Sequence, residues 1–268
     1  MLTNQSLPLI SFLFHKLGAP SHVGDVYAVP GAWLERLIAQ AAQHGYTFAR
    51  WDQLDTALTQ AYRGVVTITF DDGYASDLTE ALPLLQAHAI PATCFIVPAW
   101  IGQPGYLTWA DVRTLAAANV AIGSHTQSHG WLPELSDTAL RNELVAGRQT
   151  LEDQLGAPVR LLSLPGGFYN RRVIKAAIKA GYTIIGTSNL GIDRQIVGRS
   201  DRVRLLKRNC LDLRTPWHMV DSLLRLQTPT RLLVQSQAKR LLAQMIGPSR
   251  YRLLARSRRN RKRHHGST

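Results

Sequence analysis

Six short apolar runs constrain this chain more than anything else in it. They occupy residues 9–14, 65–70, 92–97, 120–123, 161–164 and 183–187. Each is too short for a buried helix and is bounded by turn residues, so each reads as a strand covered on both faces. Helical patterns lie between them. Trp33, Leu34, Leu37, Ile38 and Ala41 share one face. Leu140, Leu144, Gly147 and Leu151 share another, with Ser136 or Asp137 placed to cap that helix. Val173, Ile174, Ala177 and Ile178 make a third. Pro83 stands inside the pattern of residues 77–88, which predicts a helix that starts late or kinks. Strands alternating with helices indicate a parallel α/β fold, open or closed into a barrel.

At 268 residues with 45% apolar content, the chain can hold one such fold with a large core. Its two cysteines, Cys94 and Cys210, are far apart and form no metal-type pair; Cys94 falls in an apolar run and is expected to be a buried free thiol. The first seven residues hold no base, unlike the charged lead of a signal peptide, and no stretch reaches the length of a spanning helix. A cytoplasmic location, with a peripheral position at the inner membrane face as an option, is therefore expected.

The run at 65–70 ends in Asp71-Asp72-Gly73. Charge at the carboxyl end of a buried parallel strand stands where α/β folds build active sites. Neighbouring residues there point in different directions, which suits one carboxylate to a metal and the other to a proton. Alone, Asp-Asp-Gly is an ordinary solvated turn. A second short run leads into His125-Thr126-Gln127-Ser128-His129, whose histidines at i and i+4 would share one side of a helical turn. Asp plus two His is a reasonable set for Zn²⁺ or a similar divalent ion with open positions. A third run leads into Pro165-Gly166-Gly167, where glycines allow close approach of backbone to a ligand, or simply make a strand-to-helix turn.

On these residues the chain resembles the polysaccharide deacetylase superfamily, carbohydrate esterases that remove N-acetyl groups from amino sugars. The Thr69-Phe70-Asp71-Asp72-Gly73 block, the His-Thr-x-x-His block and the Pro-Gly-Gly turn match three motifs of that family in order and spacing. The opening Leu7-Pro8-Leu9-Ile10 with Phe14-His15, and Ile90-Pro91-Ala92-Thr93-Cys94-Phe95, resemble the branch related to biofilm exopolysaccharide deacetylases. The resemblance covers roughly residues 7–210 and implies a distorted seven-stranded (β/α) barrel over residues 1–227. It implies Asp71 as general base and Asp72, His125 and His129 as ligands of a divalent metal, zinc first, then cobalt or nickel. Backbone at Gly73 or Tyr74 would hold the oxyanion, and Pro165, Gly166 and Gly167 would shape the floor beside the acetyl methyl. His15 is the expected general acid, with His218 as its rival. The family's usual arginine beside the base is replaced by Ser163, leaving Arg160, Arg204 and Arg208 as substitutes. The aspartate and tryptophan of a fourth motif are not evident in residues 186–190. A glycan or lipid-linked saccharide is the implied substrate.

Charge is uneven. Residues 1–193 hold 12 Lys/Arg against 15 Asp/Glu, and residues 194–268 hold 19 against 3. Residues 228–268 read as a basic helical tail, amphipathic at first and then highly charged. An anionic membrane surface is the leading partner for it, ahead of an acidic polymer; nucleic acid is the least supported, because no recognition motif accompanies the charge. For the last ten or so residues a disordered, solvated end is the leading reading.

Overall fold

The computed structural model describes residues 6–20, 22, 25–196, 203–227 and 234. In chain order the elements are β1 (Ser6–Phe14), β2 (Lys16–Leu17), β3 (Ala28–Val29), α1 (Gly31–Gln43), β4 (Thr47–Phe48), α2 (Leu54–Gln60), β5 (Val65–Asp72), α3 (Leu82–Ala87), β6 (Ala92–Ile96), α4 (Trp109–Ala117), β7 (Val120–Ser124), α5 (Asp137–Leu155), β8 (Leu161–Ser163), α6 (Arg171–Lys179), β9 (Ile184–Gly186), β10 (Asp193–Ile196), β11 (Arg204–Leu206), β12 (Asn209–Cys210) and α7 (Trp217–Leu224). All six apolar runs are strands, and all three amphipathic patterns are helices. Local chemistry sets the ends. The Ser136 hydroxyl accepts from the Ala139 N–H at the start of α5, and Asn170 does the same for Val173 at the start of α6. Pro83 sits in the first turn of α3, which continues directly from a π-helical segment over Asp77–Ala81, so the helix changes its winding ahead of the proline instead of starting late.

Strands β1, β5, β6, β7, β8, β9 and β11 lie side by side, each parallel to its neighbour. The last staves are one strand broken at Lys207-Arg208. Its first half, β11, pairs with β9; its second half, β12, pairs in parallel with β1 at Phe12 and Leu13. The break therefore joins the two edges, and the sheet is a nearly closed barrel. The antiparallel β10 covers the other half of β1.

The two faces of the strands have different tasks. Val66, Ile68 and Phe70 of β5 point outward and pack with Ile10, Phe12 and Phe14 of β1 under Leu34, Leu37, Ile38 and Ala41 of α1. Fully burying each large side chain of this kind contributes about 1.5–3 kcal/mol. The alternate residues Thr67, Thr69 and Asp71 point inward, level with Ser11 of β1. The interior is therefore polar, and its groups are paired: Thr67 donates to the Ser11 hydroxyl at 2.8 Å, and the Trp51 indole donates to Thr67 at 3.1 Å. Trp51 and Phe95, with ring centroids 5.0 Å apart, fill the barrel below them. The expected tail over residues 228–268 lies outside the described residues except for the exposed Val234. No helix among the described residues is long and apolar enough to cross a membrane.

Candidate active site

Strand β5 runs two residues further than the apolar pattern, so both aspartates are its last members. Alternation sends Asp71 inward. Asp72 turns toward the barrel rim on a left-handed backbone, φ 81°, followed by Gly73 at φ 76°. Any Cβ at Gly73 would also meet Ile96 at 3.1 Å. The two acids are therefore separated, as their adjacency on a strand requires, and they have different company.

Asp71 is almost wholly buried and is gripped by Arg208. The guanidinium donates to both carboxylate oxygens, at 2.7 and 2.8 Å, and to the Ser163 hydroxyl at 2.6 Å; Ser163 donates in turn to Asp71 at 2.9 Å. Burial alone would raise the Asp71 carboxyl, but the bidentate guanidinium outweighs it and holds Asp71 well below the usual carboxylate range. Of the three substitute arginines, Arg208 is the partner. Arg204 pairs with Asp55, and Arg160 is exposed. Arg208 itself is fully buried over the rings of Phe95 and Trp51, 5.3 and 5.9 Å from their centroids. Gly186 makes room for it: a Cβ there would lie 2.6 Å from Trp51 and 2.9 Å from the Arg208 Nε.

Asp72, His125 and His129 form a candidate metal site, with one ligand atom from each lying within 4.8 Å of the others. Both Nε2 atoms face the Asp72 Oδ1, at 3.5 Å from His125 and 3.6 Å from His129. The His125 Nδ1 lies 2.8 Å from the Ser163 carbonyl. A carbonyl only accepts, so Nδ1 carries the proton and Nε2 offers its lone pair. Oδ1 of Asp72 is buried without a hydrogen-bond donor. Burial and the neighbouring Asp71 push the Asp72 carboxyl up to about 8, while burial pushes His125 down to about 3. An orphaned carboxylate oxygen beside the His125 lone pair and the His129 imidazole fits a divalent cation.

The expected helical turn under the histidines is absent. Residues 125–130 are a loop in which Thr126 and His129 take φ values of 66° and 62°. The loop is held from within: His129 N–H donates to the Thr126 hydroxyl, and Ser128 is bonded through both N–H and hydroxyl to Glu143 of α5. The i, i+4 spacing brings the rings together, with centroids 4.8 Å apart, through strained loop backbone instead of helical periodicity.

His15 follows β1 on the same rim. Its imidazole is pushed down to about 4 by burial, against the pull of Asp71, and it packs on Tyr27 at 4.6 Å. His218 is exposed at the start of α7, a helix bonded to α1 through Trp217 and Gln40, so it belongs to the outer layer. Pro165, Gly166 and Gly167 form the turn that follows Ser163 and Leu164. Both glycines are left-handed, and a Cβ at Gly167 would lie 2.5 Å from Ser188, so internal packing already accounts for Gly167. Tyr74 stands on this rim too, its ring stacked on Tyr106 at 4.9 Å; Trp100 meets Tyr106 at a tilt, 5.2 Å away, and stacks on His129 at 5.0 Å. This aromatic wall was not anticipated, because it joins the segment after β5 to the connection between β6 and α4.

A family model described as polysaccharide deacetylase matches residues 59–185. YxkH of Bacillus subtilis is 28% identical over 188 residues, covering 69% of this chain and 65% of that protein. A peptidoglycan-N-acetylglucosamine deacetylase of Bacillus cereus is 32% identical over 122 residues, covering 45% of this chain and 55% of that protein. The matches thus span less than two thirds of either relative. Among solved structures, the Streptococcus pyogenes deacetylase PplD in complex with acetate superposes with a TM-score of 0.71 at 20% identity, over 84% of this chain and all of that one. The matched segment contains both aspartates, both histidines and the Pro-Gly-Gly turn, and residues 59–185 accordingly form a polysaccharide deacetylase domain.

Proposed function

We propose that this protein is a metal-dependent hydrolase that removes N-acetyl groups from the amino sugars of a polysaccharide or lipid-linked saccharide. The observation that carries the reading is the division of the aspartate pair. Asp71 is held ionised by Arg208 and Ser163, while the orphaned Asp72 Oδ1 faces the Nε2 atoms of two imidazoles. A divalent cation held by Asp72, His125 and His129, zinc first among zinc, cobalt and nickel, would supply Lewis-acid polarisation and a water of lowered pKa.

The chain's own groups supply the remainder. Asp71 accepts the proton of the attacking water; its two bonds to Arg208 keep the carboxylate aimed and charged. His15 passes to the leaving amine the proton that Asp71 took from the attacking water. Burial disfavours its imidazolium, and the Asp71 carboxylate offsets that during the transfer. Backbone N–H at Gly73 or Tyr74 receives the developing oxyanion, at the point where the left-handed turn exposes the chain. The turn at Pro165, Gly166 and Gly167 borders the acetyl group. Tyr74, Trp100 and Tyr106 offer ring faces to the sugar.

Acetate release from N-acetylated saccharides by the metal-loaded protein tests the reading. Asp71→Asn is expected to lose release at least a hundredfold while keeping its metal. Full activity in that variant would overturn the assignment. His15→Ala is expected to lose activity where His218→Ala does not.

A further inference from the structure

We infer that the groove between α5 and α6 binds an acidic segment of the substrate glycan, one bearing carboxylate or phosphate groups next to the acetylated sugar. The inference rests on the deacetylase reading for the nature of the substrate.

The groove encloses about 780 Å³ and is bordered by Arg141 of α5 and by Arg171, Arg172, Lys175 and Lys179 of α6. Arg172 is committed to structure: it pairs with Asp137 at 2.6 Å and donates to the carbonyls of Pro133 and Leu135. The other four make no ion pair among the described residues. Their concentration is unusual for this chain. Residues 1–193 hold 12 basic against 15 acidic side chains, and five of the 12 line this one groove. Four uncompensated cations at close quarters repel one another, which an anion relieves.

Its place links it to the site. Helix α6 begins just after the Pro165–Gly167 turn, and Arg172 fastens the loop that leads away from His129. A glycan crossing the rim can continue into the groove. A neutral polymer would gain little from its cations, and a fully deacetylated one, bearing ammonium groups, would be repelled. An acidic segment is held until newly formed ammonium groups weaken its attraction, which favours product release. The apolar floor, between two helix ridges, suits a single strand better than a flat bilayer surface, which would touch only the rim.

The test compares hyaluronan oligosaccharides, in which N-acetylglucosamine alternates with glucuronate, with chitin oligosaccharides of equal length. For acetate release by the metal-loaded protein, KM for the acidic series is expected to be about tenfold lower at low ionic strength. That advantage should vanish at about 0.5 M salt. Lys175→Glu with Lys179→Glu, both on exposed positions, should remove it while leaving kcat and the neutral KM unchanged. Equal KM for both series, or a variant that harms both alike, overturns the inference. Direct titration of the same oligosaccharides into the metal-free protein separates the two readings: acidic binding there that is lost in the variant supports the groove, and failure of the metal-loaded wild type to release acetate from either series sinks the deacetylase reading alone. Charge-dependent binding to phosphatidylglycerol vesicles without preference for hyaluronan overturns the glycan assignment.

Discussion

Replacing Arg208 by Met tests the core of the site. The guanidinium is fully buried and makes two bonds to Asp71 and one to Ser163. Met keeps much of the volume but leaves Asp71 as a buried, uncompensated carboxylate. Breaking such a pair from one side costs about 3–5 kcal/mol. For a domain of this size that lowers Tm by about 6–20 °C. The loss should depend on pH with a definite sign. Asp71 is depressed in the fold, so its contribution is complete above its unfolded value and fades as pH falls below about 4. The gap between wild type and variant should therefore be widest near neutrality and narrow in acid. Adding Asp71→Asn removes the stranded charge and should recover most of the stability, though not activity. Calorimetry on the metal-free proteins reads all three. A loss under about 1 kcal/mol, or no recovery in the double variant, would refute the ion-pair argument. Arg208→Lys, with one contact point instead of a fork, should fall between.

Gly186→Ala places a methyl 2.6 Å from Trp51 and 2.9 Å from the Arg208 Nε; overpacking should cost about 1–3 kcal/mol in urea unfolding and lower kcat through the displaced arginine. Ser163→Ala keeps the carbonyl that fixes His125 but loses the hydroxyl shared by Asp71 and Arg208, so kcat should drop about tenfold with metal affinity intact. A parallel loss of metal would contradict that division. Zinc at about a hundredfold its Kd should raise stability by about 2.7 kcal/mol, and His129→Ala should abolish the rise, as read by thermal melts. Equal shifts in both proteins would place the metal elsewhere.

The strands were legible because their apolar runs are continuous, and the helices because Leu140, Leu144 and Leu151, or Val173 and Ala177, repeat on one face. The metal trio was legible because Asp72 closes β5 and His125 and His129 follow the end of β7. The geometry under the histidines was not, since i, i+4 spacing implies a helix and only the bonds to Glu143 and Thr126 reveal a loop. Arg208 was one of three equal options. Nothing local marks it; its role comes from standing where the broken last strand passes from β9 to β1. The aromatic wall was equally hidden, since the ring contacts among Tyr74, Trp100 and Tyr106 depend on how the segment after β5 meets the connection between β6 and α4.

That broken strand has a consequence for how the protein reaches its native state. Asp71 and Arg208 are separated by 137 positions, and they meet only when the last stave bridges the two sheet edges. Until residue 208 has left the ribosome, the aspartate has no counter-ion and favours staying hydrated, which opposes early collapse of the interior. The ion pair thus works as a clasp: the contact that sets up the base also marks completion of the ring. A chain stopped at residue 203 is expected to keep secondary structure but bind a hydrophobic dye and melt without cooperativity; a sharp transition in that fragment would refute the clasp.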